Sequence, residues 1–173
     1  MANSKSLIAY FSRKGNNYVG GRIVNLPVGN TEVVAKKIQK LTGSDMFQIK
    51  TVEVYPEDYM EATNVAQEEL VGNARPELTG TVKDMDSYDV IYLGYPNWWG
   101  TMPMAVCTFL ESYDFSGKTI IPYCTHEGSG LGRSERDIKK LCPNAKVLPG
   151  LAIRGDSVSS ADKMLELWLK KKD

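Results

Sequence analysis

Three clusters of residues in this sequence have types and spacings that suit chemistry. The first is Gly94-Tyr95-Pro96-Asn97-Trp98-Trp99-Gly100-Thr101-Met102, where an apolar run stops at a proline and two adjacent indoles precede a glycine. Large aromatics normally go to the core, so two of them in a loop beside a flexible glycine suit the holding of a flat ligand. The competing reading is that both Trp side chains cap the core. The second cluster is the stretch from Ser12 to Thr31. Ser12, Asn30 and Thr31 offer hydroxyl and amide donors where a helix begins, and unpaired N–H groups there can hold a phosphate with few or no cations. The plainer reading is that Asn30 or Thr31 serves as the N-cap. The third is Thr125-His126-Glu127-Gly128-Ser129-Gly130-Leu131-Gly132, which contains the one histidine of the chain. Its reference pKa near 6.5 lets it donate a hydrogen bond or deliver a proton, unless it is a solvent-facing loop residue. Glu127 reads as a surface charge or as a partner that raises the His126 pKa.

Periodicity predicts the elements that position these clusters. Residues 6–11 form a short apolar strand that ends at the polar turn Ser12-Arg13-Lys14-Gly15-Asn16-Asn17. Residues 18–28 suit a small hairpin around Gly20-Gly21. Gly29-Asn30-Thr31 opens a helix that Thr42-Gly43 stops. A second strand at 46–49 and a helix at 56–72 follow. The helix would turn Tyr59, Met60, Val65, Ala66 and Leu70 inward. Residues 73–86 make a surface connection. The Trp-bearing strand, a helix at 104–113, a strand at 119–124 and a helix at 133–141 come next. A final strand spans 147–153, demoted to an edge or bulged strand by Pro149-Gly150. A last amphipathic helix runs from 159 to 172. Strand and helix alternate five times, and the strands are continuous apolar runs. The expectation is therefore one α/β domain over residues 1–173 with a parallel sheet. In such sheets ligands bind beyond the carboxyl ends of the strands. The polar, Gly-rich loops after strands one, three and four then build one site on one edge.

Composition narrows the function. Lys+Arg equals Asp+Glu, for a formal net charge of zero, and Lys170-Lys171-Lys172 is the one basic run, so no nucleic-acid surface is expected. No apolar stretch approaches membrane-spanning length, and the N-terminus shows no signal-peptide apolar region. Cys107, Cys124 and Cys142 are odd in number and widely spaced. They suit buried thiols in a reducing cytoplasm rather than a disulfide framework or metal site. The first loop is neither a Walker loop nor a G-x-G-x-x-G turn. Ser12 stands where a receiver domain would carry acidic residues. No Cys-x5-Arg loop follows the first strand, and Gly128-Ser129-Gly130 is not a nucleophile elbow.

At the level of motifs the resemblance is specific. Tyr10-Phe11-Ser12-x-x-Gly15-Asn16, completed by Gly29-Asn30-Thr31-Glu32-Val33-Val34-Ala35, resembles the phosphate loop of the flavodoxin family. Gly94-Tyr95-Pro96-Asn97-Trp98-Trp99-Gly100 and the loop after Cys124 resemble its two flavin-ring loops. The resemblance spans nearly the whole chain and implies a flavodoxin-like three-layer sandwich with a five-stranded parallel sheet of order 2-1-3-4-5. It implies one non-covalent FMN. Ser12, Lys14, Asn30 and Thr31 would hold the phosphate, with Lys14 in the place of a family Ser or Thr. Asn17 and Tyr18 are placed to fold back as further ligands. Pro96, Asn97, Trp98, Trp99, Gly100, Thr101 and Met102 would flank the ring on one side. Thr125, His126, Glu127, Gly128, Ser129 and Gly130 would flank it on the other, with His126 tuning or protonating the flavin. The family turn is short, whereas here about a dozen residues, 16–28, are inserted between its halves. The implied function is flavodoxin-type electron transfer to a redox partner protein. The alternatives are an NAD(P)H-dependent oxidoreductase of quinones or other small acceptors and, third, a non-redox phosphate-binding module. The chain would be a monomer or a homodimer.

Overall fold

The computed structural model describes residues 4–172. The N-terminal residues 1–3, part of the stretch read as free of a signal peptide, and residue 173 lie outside the described residues. β1 (Ser6–Tyr10), β4 (Asp45–Gln48), β5 (Val90–Pro96) and β6 (Thr119–His126) form a parallel sheet in the order β4-β1-β5-β6. Its far edge is a broken strand. β7 (Lys146–Val147) and β8 (Leu151–Arg154) both pair with β6, one after the other. The predicted single strand at 147–153 is thus split, giving a six-stranded sheet in the expected class. The chain crosses the break at Pro149-Gly150. There a Cβ on residue 150 would lie 2.9 Å from the carbonyl oxygen of Pro122 in β6. Neither proline has an N–H to give to a ladder, so pairing lapses between them.

The period-two alternation of the strands separates two cores. Leu7, Ala9, Phe11, Leu93, Tyr95 and Ile120 face one side, against α3 (Met104–Glu111) and α4 (Ser134–Leu141). Ile8, Tyr10, Ile121, Tyr123 and Ile153 face the other, against α1 (Asn30–Thr42) and α5 (Asp162–Lys170). α2 (Tyr59–Val71) lies beside α3; Ala62 and Ala66 are its buried residues, and Leu70 packs against the core that holds α3. Met60, expected inside, is 59% exposed. The three cysteines are free and buried.

The inserted segment is a hairpin, as Gly20-Gly21 predicts, but it starts earlier. β2 (Gly15–Val19) and β3 (Arg22–Leu26) make a two-stranded antiparallel sheet separate from the main one. Gly15, Gly20 and Gly21 all take positive φ at its ends, where glycine carries no Cβ penalty. Among the described residues no helix is long and apolar enough to cross a membrane.

Candidate functional site

The start of α1 is built by Ser12. The helix begins at Asn30, so its N-cap is Gly29 rather than the expected Asn30 or Thr31. Gly29 has no side chain to cap with. The Ser12 hydroxyl, arriving from the end of β1, accepts the Glu32 N–H at 3.1 Å instead. A Cβ at residue 29 would sit 2.2 Å from that hydroxyl, so the close approach requires glycine. Among the described residues, the backbone N–H groups of Asn30 and Thr31 have no hydrogen-bond partner. Two unpaired donors at the positive end of a helix form an anion cradle. The Thr31 hydroxyl is paired with that of Thr125 at 2.8 Å, which joins the first loop to the third.

The Trp loop is a tight turn. Trp98 N–H donates to the Thr101 carbonyl and Thr101 N–H returns to Trp98, with Trp99 and Gly100 both at positive φ between them. This is the hairpin turn that needs left-handed backbone at both central residues, a conformation that costs a bulky residue such as Trp99. The Trp99 indole N–H donates to the Thr63 carbonyl of α2 at 2.9 Å and holds that conformation. Asn97 braces the turn from below. Its carbonyl oxygen accepts Gly100 N–H at 3.0 Å and its amide donates to the Gly130 carbonyl at 2.8 Å. Gly100 in turn accepts Arg133 N–H at 2.8 Å.

Most of the sequence-predicted residues meet in one cleft of about 270 Å³. Asn17, Asn30, Thr31, Pro96, Asn97, Trp98, Trp99, Gly100, Thr125, His126, Glu127 and Ser129 line it. The two Trp readings are divided between the two residues. Trp98 is partly buried and packs edge-on against Phe11 and Tyr55, so it serves the core as well as the cleft. Trp99 is 47% exposed. Thr101 and Met102 are buried, turned away by the reversal at Gly100. The Thr101 hydroxyl donates to Asp137 and Met102 joins the core. Gly128 and Gly130 do not line the cleft. Ser12 and Lys14 line a separate cavity beside β4.

Three cleft residues lie outside the predicted site. Arg13 donates to the carbonyls of Asn16, Pro56 and Glu57, and so ties the hairpin base to the start of α2. Tyr59 opens α2, and Tyr18, read only as a further ligand, stacks on it from the hairpin with centroids 6.1 Å apart. Nothing in the spacing of Tyr59 marks it as a cleft residue. It fits the inward stripe of its helix equally well.

His126 accepts Gly128 N–H at Nδ1, at 2.9 Å, so its proton sits on Nε2. Burial and the nearby Arg154 lower its pKa, with Asp156 opposing. Its imidazole is therefore neutral at pH 7. Glu127 does not raise it, contrary to that sequence reading. The Glu127 carboxylate instead accepts Gly20 N–H from the hairpin tip at 3.0 Å, and burial raises its own pKa. It stands close to Asn30, since a Cβ at Gly155 would lie 2.4 Å from Glu127 Oε1 and 2.7 Å from Asn30 Nδ2.

Sequence comparison decides the family, because the model described as Flavodoxin matches residues 5–172. The chain belongs to the flavodoxin family. No curated protein matches the chain. Solved structures do. A protein of Bacteroides eggerthii assigned as a flavoprotein is 26% identical over 95% of this chain and 99% of that one, with a TM-score of 0.73. One of Bacteroides uniformis, assigned likewise, is 25% identical over 94% and 98%, with a TM-score of 0.71. A Lactobacillus acidophilus flavoprotein in complex with FMN is 22% identical over 93% and 99%, with a TM-score of 0.66. The flavodoxin family cofactor, FMN, fits the residues present. The open α1 N-terminus suits its phosphate, the aromatic walls suit its ring, and the His126 Nε2–H is a donor for a polar ring edge.

Proposed function

We propose that this protein binds one FMN non-covalently and transfers electrons through it. One observation carries the reading: the unpaired Asn30 and Thr31 N–H groups and the Trp98-Trp99 platform open into one cleft. Bound FMN supplies reversible one- and two-electron redox chemistry. The chain supplies the rest. Asn30 and Thr31 hold the phosphate, Trp98 and Trp99 flank the ring, and neutral His126 donates from Nε2 to a ring edge. Stacking on indole contributes about 0.5–1.5 kcal/mol beyond area burial and favours the electron-poor oxidised ring. Three buried thiols suit a reducing, cytoplasmic setting.

A second reading, an oxidoreductase of small acceptors, is favoured by a cavity of about 370 Å³ that adjoins the cleft and shares Trp98 and Trp99 with it. The neutral net charge also gives a docking protein little to steer by.

The test is a titration of apo protein with FMN, followed by Asn30→Asp. Wild type should bind saturably at micromolar concentrations. The variant places a carboxylate at the phosphate cradle and should bind at least about tenfold more weakly. An acid in the first turn of α1 favours the helix but stands near the Glu127 carboxylate, so the melting temperature of the variant is measured alongside to separate lost binding from lost fold. Unchanged FMN affinity in Asn30→Asp would remove the phosphate assignment. No binding by wild type would remove the whole reading. Visible spectra during stepwise anaerobic reduction then separate one-electron from two-electron behaviour.

A further inference from the structure

We propose that Glu127 couples cofactor binding to proton uptake, the flavin phosphate entering its cradle together with a proton that neutralises the Glu127 carboxylate. This rests on the FMN reading above. The cleft has little positive charge to offer a dianion. Among its lining residues Arg13 is the one cation and Glu127 the one carboxylate, and His126 is neutral. Glu57 and Asp58 already offset the charge of Arg13. Lys14, the cation expected at the phosphate, lines the separate cavity beside β4. Two backbone N–H groups and a helix dipole must therefore hold about two negative charges next to a third.

Glu127 is fixed beside that cradle. A Cβ on Gly155 would touch both Glu127 Oε1 and Asn30 Nδ2, so the carboxylate stands at the first residue of α1. Its other oxygen accepts Gly20 N–H at 3.0 Å, which ties it to the hairpin tip. The groups around it do not neutralise it. Arg154 and Asp156, at and just after the end of β8, act on it with opposite signs and pair with each other at 3.7 Å. Tyr59 of α2 is an uncharged phenol whose pKa is pushed up by burial and by Glu127 itself. Tyr18 of the hairpin adds a second phenol, and Asn30 of α1 carries no charge. Burial already favours the protonated carboxyl. A phosphate on the α1 N–H groups adds like charge nearby, so the Glu127 pKa rises further in the complex. Between the two pKa values binding draws a proton from solvent, and affinity climbs as pH falls. A cradle acting alone would do the opposite. Its dipole favours the dianion, and acid would weaken binding by protonating a phosphate whose second pKa is about 6.

The experiment is calorimetric titration of apo protein with FMN in two buffers of different ionisation enthalpy, whose difference in heat counts the protons taken up. Wild type should take up protons with FMN at about pH 7 and not with riboflavin, which lacks the phosphate. Glu127→Gln keeps an acceptor oxygen for Gly20 N–H and loses the charge. It should bind FMN at least about tenfold more tightly than wild type at about pH 8. That advantage should shrink at least about threefold by about pH 5.5, where wild type gains its proton. The proposal is overturned if wild type takes up no more protons with FMN than with riboflavin, or no more than Glu127→Gln does. It is also overturned if Glu127→Gln binds FMN no more tightly than wild type at the higher pH. The two comparisons are independent, so one decides where riboflavin does not bind and the other where the variant does not fold. A wild type that binds no FMN refutes the function proposed above. FMN binding without the proton refutes only the coupling.

Discussion

The Trp turn and the inserted hairpin face each other across one cleft, and they are held by opposite means. The turn at 98–101 grows directly from a central strand and is braced by Asn97, by Arg133 N–H on Gly100 and by the Trp99 indole on α2. The hairpin belongs to a sheet of its own. It is tied at its base by Arg13, and at its far end by one hydrogen bond to Glu127 and one stack of Tyr18 on Tyr59. A two-stranded ribbon is marginal by itself, and such segments open locally at low free-energy cost. One wall of the site is a fixed platform and the other is a loosely fastened cover.

The largest effect is expected at Gly132. This residue has φ of 56°, and a Cβ on it would sit 2.1 Å from the Gly100 carbonyl oxygen. Gly132→Ala forces the third loop off the Trp turn and should cost about 3 kcal/mol or more, read as a fall in melting temperature. An unchanged melting temperature would mean that the platform is not rigid. Glu127→Ala sharpens the other side. It should change global stability by less than about 1 kcal/mol, because Gly20 N–H is exposed and water can replace the carboxylate. Amide exchange across residues 16–25 should nevertheless accelerate strongly. If exchange there does not change, the tip contact is not what fastens the hairpin.

The smallest effect is a pH dependence. The folded-state pKa of His126 lies below 6.5, so the unfolded chain takes up the proton first as pH falls. Stability should therefore decline as pH drops below 6.5 toward the folded-state value, and level off below it. His126→Gln should lack that component in melts across the same window. A wild type whose stability instead rises on acidification through this range would mean that folding raises the His126 pKa.

The fold was legible because each strand is a short apolar run with a clear end. The hairpin was marked by Gly20-Gly21, and the broken edge strand by Pro149-Gly150. The part played by Pro122 was hidden, since it acts across the sheet on a segment remote in sequence. Within the site, residue types pointed to the right loops but not to individual side chains. Trp98 and Trp99 are neighbours of one type, and only the reversal at Gly100 sends one into the core and the other to the rim. The same reversal buries Thr101 and Met102. Arg13 and Tyr59 were missed because each works through a contact made in three dimensions: Arg13 by reaching the carbonyls before α2, Tyr59 by standing at its first turn. Ser12 has the expected chemistry with another target, the N–H of Glu32.

The contact between Gly20 and Glu127 also bears on time. It joins the tip of the hairpin after β1 to the loop after β6, at the edge of the cleft. Tyr18 and Glu127, which make the two contacts at the tip, both line the cleft, so release of the tip loosens one wall of it. One hydrogen bond and one pair of stacked rings then set how often that wall gives way.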